Sequence, residues 1–121
     1  MDKDMTGLDA RALASFVRAV AILALPADGQ IAWLHSLDLP GQPRYVDELA
    51  LEFDDGYLLS PQFVTNGWLA QEATKPLAAL NVLLSDMSGS EHAELWTLDA
   101  LATSPLWIKV RHQARVALFL M

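Results

Sequence analysis

The chain contains no cysteine. Disulfide staples, thiolate metal sites and cysteine nucleophiles are therefore excluded, and a reducing cytoplasm is a compatible setting. Glycine is scarce, at six of 121 residues, while Leu and Ala are abundant, a balance that favours helix over a strand-and-turn architecture. Positive charge is in short supply: eight basic residues face fifteen acidic ones, for a net charge of −7. Such a surface repels a phosphate backbone and an anionic bilayer alike, so neither nucleic acid nor membrane is expected as a partner. It suits solubility and rapid capture of a basic protein, two readings that charge alone does not separate.

Long hydrophobic runs are also missing. The stretch from Ala19 to Leu25, closed by Pro26, is far too short to span a bilayer. Its leader carries Asp2, Asp4 and Asp9 against Lys3, Arg11 and Arg18, so the positive flank of a secretory signal is absent. It reads as a buried helix of a cytoplasmic protein.

What is present is apolar residue content: 53% hydrophobic against 19% charged, enough buried surface to offset the entropy lost on folding. The length fits one domain over residues 1–121. Its elements read as helices throughout. Thr6 and Asp9 have capping-box spacing and predict a first helix from there to Pro26, with Arg11, Ser15 and Arg18 as its thin polar stripe. Asp28-Gly29 predicts a turn, followed by a short helix through Ile31, Trp33, Leu34 and Leu37. Pro40-Gly41-Gln42-Pro43 reads as a loop. Val46, Leu49, Ala50, Phe53 and Tyr57 recur at helical spacing.

Ser60-Pro61 can cap a further turn, Asn66-Gly67 breaks it, and residues 58–68 give the least definite pattern. A helical pattern resumes from Ala70 to Asp86, with Thr74 as a candidate cap that places Pro76 in a first turn. Ser88-Gly89-Ser90 ends it. Thr97 predicts a short helix through Leu101. Ser104-Pro105 opens the last helix, whose stripe is Leu106, Val110, Ala114, Ala117 and Met121. Trp107 and Leu118 flank that stripe, and Lys109, His112 and Arg115 lie off it, basic residues suited to a helix C-terminus. The expected fold is all-α, a compact single-domain bundle of about five to six helices.

Catalytic signatures are sparse. An HExxH pair, a phosphate-binding glycine loop, a GxSxG elbow and a dinucleotide fingerprint are absent. Glu91, His92 and Glu94 fall together, but without the spacing of a metal-ligand motif they read as solvated or capping residues, as do His35 and His112. Asp54-Asp55-Gly56 lacks the alternating acids and closing Glu of a calcium loop. No catalytic residue, cofactor or metal is expected. Trp33, Trp68, Trp96 and Trp107 read first as core or boundary residues, with one or two available as interface anchors.

The segment Asp47 to Asp55 is the most informative. On a helical wheel Val46, Leu49, Ala50 and Phe53 share one side. Asp47, Glu48, Glu52, Asp54 and Asp55 share the other, with Leu51 in their midst and no basic residue among them. Like charges on neighbouring turns repel by roughly 0.2–0.5 kcal/mol per pair, which makes the arrangement locally unfavourable. An apolar centre with a charged rim is how a protein-binding patch is built. A solvated helix face with an incidental Leu is the plainer alternative. The candidate contact residues are Asp47, Glu48, Leu51, Glu52, Asp54 and Asp55.

Asp47 to Asp55 with Gly56-Tyr57-Leu58, then Asp86-Met87-Ser88-Gly89, Leu95-Trp96-Thr97 with Asp99-Ala100-Leu101, and Trp107-Ile108-Lys109-Val110-Arg111 with Ala114, together resemble bacterial immunity proteins. These are the antidotes of contact-dependent inhibition and related polymorphic toxin systems. The resemblance covers roughly residues 30–120 and rests on spaced residues. It implies a cytoplasmic protein that binds a cognate toxin's C-terminal domain, often a basic nuclease, and covers its active site or substrate surface. An acidic surface fits that task, since a nuclease cleft is positive to accept phosphates. A second reading is a helical adaptor or homo-oligomeric subunit joined through apolar surface. Phe119-Leu120-Met121, with Phe119 and Ile108 on one side of the last helix, could form a dimer contact. A third is a small enzyme or metal protein using His92 and Glu94.

Overall fold

Seven α-helices and two short 3-10 turns form the secondary structure of residues 9–37 and 46–121, the part of the chain that the computed structural model describes; no strand occurs among them. The helices are α1 (Ala10–Leu23), α2 (Ala27–Ser36), α3 (Asp47–Tyr57), α4 (Ser60–Thr65), α5 (Thr74–Asp86), α6 (Leu98–Thr103) and α7 (Pro105–Leu120). The 3-10 turns are Gln71–Ala73 and Ser90–Trp96. The all-α architecture matches expectation, with more helices than the five to six predicted. The addition is α4, whose six residues are too few to show a 3.6-residue period.

Helix ends follow local chemistry, with four corrections. The Asp9 carboxylate caps α1 by accepting from the Ala12 N–H at 2.8 Å; Thr6, expected at that start, lies outside the described residues, as does the expected loop over residues 40–43. Ser60 is the first residue of α4 and not its cap; its hydroxyl donates to the Tyr57 carbonyl at 2.8 Å. Asp28-Gly29 forms no separate turn but lies within the first turn of α2, which starts directly after Pro26. There Pro26 needs no N–H, and Asp28 suits the positive end of the helix. Thr74 is the first residue of α5 and not its cap; its hydroxyl donates to the Gln71 carbonyl at 2.8 Å. Finally, the last turn of α7 holds no basic residue. Thr97 and Ser104 do cap α6 and α7, accepting from Ala100 N–H at 3.0 Å and Leu106 N–H at 3.2 Å.

Helices α1, α3, α5 and α7 form a ring: α1 packs on α3 and α7, and α5 packs on α3 and α7. Thus α3 and α7 stand diagonally. Phe16 of α1 lies at the centre, fully buried, with its ring 5.6 Å from Phe53 and 6.1 Å from Phe63. Burial of each such side chain is worth roughly 1.5–3 kcal/mol. Gly56 makes the α1–α3 approach possible. A Cβ added there would sit 2.5 Å from Phe16 Cδ1 and 2.7 Å from its Cβ, closer than packed atoms tolerate.

A polar network crosses this core. Gln30 of α2 is fully buried, and its Nε2 donates to the carbonyls of Leu23 at 2.9 Å and Ile22 at 3.2 Å, at the end of α1. Its Oε1 accepts from Arg111 Nη1 of α7 at 2.9 Å. The same Nη1 lies 3.1 Å from the Leu101 carbonyl in the last turn of α6. Arg115 Nε donates to the Ala24 carbonyl at 2.8 Å. Terminal carbonyls lack partners within their own helix and carry the negative end of its dipole, so α7 supplies cations to two helix ends that hold none of their own.

The 3-10 turn Ser90–Trp96, which packs on α6, buries none of its residues completely. It is tied down by two indoles: Trp96 Nε1 donates to Met87 O at 2.8 Å and Trp107 Nε1 to Leu95 O at 2.7 Å. The two rings meet edge-on, 5.3 Å apart. Trp107 is therefore fully buried core and no flanking residue.

Two expected outcomes test this packing. Gly56→Ala should improve local helix propensity by about 1 kcal/mol yet destabilise the protein by about 1–3 kcal/mol, because Phe16 must move; urea denaturation reads the sign. Gln30→Leu should cost about 2–4 kcal/mol, since it strands the Leu23 carbonyl and takes from the buried Arg111 one of its two acceptors. Adding Arg111→Met should then cost less than the separate losses summed, as partners in one network do not add.

Candidate protein-binding face

Helix α3 divides sharply into two sides. Val46 at its cap and Leu49, Phe53 and Gly56 within it are buried against the core. Opposite them Leu51 is 54% exposed and Leu58, in the turn that follows, 73%. Glu52, Asp54 and Asp55 are exposed around them, while Asp47 and Glu48 are half-buried in the first turn. Ala50, expected on the inner side, lies at the boundary.

The six candidate residues thus share one helix, but they do not share one electrostatic situation. Asp47 and Glu48 sit at the positive end of α3, where acids are worth about 0.3–1 kcal/mol each, and Asp47 also makes an interaction within the chain. These two serve the fold, contrary to the expectation that the whole acidic flank is a local liability. Asp54 and Asp55 fall in the last turn, where the dipole is negative and no basic residue offsets it. Glu52 bridges the two groups.

Leu58 was not among the residues singled out, although its spacing was readable. It follows Leu51 by seven positions, two helical turns, and stands about 10.5 Å along the axis from it. Asp54 and Asp55 lie between the two leucines on the same side. The face is therefore an exposed apolar pair with two carboxylates in its middle and Glu52 on its flank.

Other candidate chemistry stays apart. Glu91 and Glu94 are exposed and His92 half-buried on the 3-10 turn, and among the described residues no three His, Asp or Glu side chains converge to hold a metal ion. Trp68 packs on Phe63 with ring centroids 6.4 Å apart. No described helix is long and apolar enough to cross a membrane. No family model, curated protein or solved structure matches the chain.

Neutralising the two acids at the end of α3 separates their cost from their use. Asp54→Asn/Asp55→Asn is expected to raise stability by about 0.5–1 kcal/mol by relieving the dipole and mutual repulsion. The midpoint of urea unfolding at low ionic strength measures it, and a loss of stability would show that these carboxylates serve the fold.

Proposed function

We propose that this chain is a cytoplasmic immunity protein that binds a cognate toxin domain through the outer face of α3 and occludes its active site or substrate surface. A basic nuclease is the toxin class whose charge fits best. The observation that carries the reading is the position of Asp54 and Asp55, exposed between two exposed leucines and set against the dipole of their own helix. Groups that oppose their own helix are accounted for by an external cation. The net charge of −7 supplies the long-range field, which accelerates encounter with a positive cleft. Leu51 and Leu58 supply the apolar surface that lengthens the life of the complex once formed.

The resemblance to immunity proteins supports the same reading, and it makes the adjacent reading frame the place to look. A large secreted protein whose C-terminal domain ends just upstream is the expected neighbour, and a metabolic operon would count against the proposal. With that domain in hand, Asp54→Lys/Asp55→Lys should leave the circular dichroism spectrum intact and slow association at least about tenfold at low salt. Leu51→Ala/Leu58→Ala should act mainly on dissociation. Unchanged binding by the lysine variant would mean that another face makes the contact.

The alternative, a helical adaptor that assembles through apolar surface, draws on the C-terminal helix, where Phe119 is 89% exposed. Its neighbours Leu120 and Met121 pack against the core, so Phe119 alone projects from that segment.

A further inference from the structure

We propose that the outer face of α7 receives the α3 face of a second copy of this chain, in a head-to-tail contact that covers the partner-binding surface. Although the chain is acidic, α7 holds no acidic residue at all. Its inner side is the buried row Trp107, Val110, Ala114 and Ala117. Its outer side presents Ile108, 57% exposed, His112, Arg115 and Phe119 in one stripe at positions i, i+4, i+7 and i+11, with Lys109 and Val116 exposed beside it. Arg115 commits its Nε to Ala24 O, but its charge stays at the surface.

The two faces share a layout with opposite sign. On α3, Leu51 and Leu58 bracket Asp54 and Asp55; on α7, Ile108 and Phe119 bracket His112 and Arg115. The positive charge comes from Lys109 and Arg115, and Asp86 of α5 borders the cleft beside Ile108 and Lys109. Because α3 and α7 stand diagonally in the ring, their outer faces point away from each other, and one molecule cannot satisfy its own pair. A symmetric dimer through either face would set like charges against each other. Only the unlike pairing buries both apolar pairs while joining unlike charges. That pairing leaves a free face of each kind on a two-copy assembly, so it extends past a dimer, into a chain or a ring. A contact confined to one helix face on each side belongs to the small, transient class of interfaces, which makes it weak, salt-sensitive and displaceable by a better partner for α3.

The test needs only the purified chain, so it stands or fails apart from any toxin. Sedimentation equilibrium up to about 1 mM protein should show average mass rising past that of a dimer at low salt. The association constant should fall at least about tenfold between about 0.02 and 0.5 M salt as screening shortens the range of the charges. Leu51→Ser/Leu58→Ser and Ile108→Ser/Phe119→Ser remove exposed groups and should keep the wild-type circular dichroism spectrum. Each alone should stay monomeric, and their equimolar mixture should form dimers and nothing larger, since one intact face of each kind remains. Lys109→Gln/His112→Gln should weaken self-association, as should Asp54→Asn/Asp55→Asn. A wild-type chain that stays monomeric throughout, loss of association in only one of the serine variants, or a mixture no different from its components would each overturn the proposal.

Discussion

The fold turns on how the C-terminal end of α1 is satisfied. That helix packs on α2, α3 and α7, so its last carbonyls end inside the protein, where only Ile22 finds a backbone donor, the Leu25 N–H at 3.2 Å. Gln30 donates to two of them and Arg115 to a third. Arg111 completes the arrangement from behind, holding Gln30 by its oxygen while also meeting the end of α6. Among the described residues no carboxylate pairs with Arg111, which is nearly fully buried. Desolvation first, then the charge of Arg115, lowers its pKa. Its counter-charge is instead the partial negative charge at two helix ends, a weaker field that must be aimed correctly. This fixes the rotation of α7 about its own axis, and with it which residues face out.

The same logic of close approach fixes α3. Gly56 lets the helix lie against Phe16, and Phe53 stacks on Tyr57 at 5.3 Å and meets the Phe16 ring at a tilt, 5.6 Å away. A helix held this tightly along one side has no freedom to turn its leucines inward. The exposure of Leu51 and Leu58 is thus forced by the packing of Leu49, Phe53 and Gly56, and the acids follow at fixed angles to them. What the core determines here is a surface.

Much of this was legible in the residues. The capping pairs Thr97/Ala100 and Ser104/Leu106, the breaks at Asn66-Gly67 and Gly89, and the inner rows of α3 and α7 follow from short-range rules that need no knowledge of the fold. The polar network was not legible in the same way. Gln30 is in phase with Leu34, and Arg111 with Trp107 and Ala114, so each sits on an apolar stripe where a polar residue is out of place; but their partners lie 81 residues apart. Periodicity marks such a residue as buried and says nothing of what it meets. The role of Gly56 was hidden for a related reason. Beside two aspartates it invites comparison with an ion-binding loop, whereas its role is set by Phe16, forty positions earlier. In the acidic segment, the wheel located the exposed arc but weighted all six residues alike. Position along the helix, first turn or last, is what separates the acids that stabilise α3 from those that do not.

The distribution of charge carries the argument one step further. A protein selected only to remain in solution gains nothing from segregating its charges, since mixed signs on each face lower local repulsion and serve as well. Here the separation runs along a diagonal of the bundle: acids gather on α3 and are absent from α7, whose cations partly face inward to close the ends of α1 and α6. Having been placed on α7 for that internal task, Arg111 and Arg115 make the adjacent outer surface positive. Acids on that surface would compete with the carbonyls of Leu101 and Ala24 and with Gln30 Oε1 for the same guanidinium groups. The basic face is therefore a consequence of how the helix ends are closed, whereas Asp54 and Asp55 answer to no such need. Structural demand accounts for the cations of α7; the acids at the end of α3 close no helix end and sit against the dipole of their own helix.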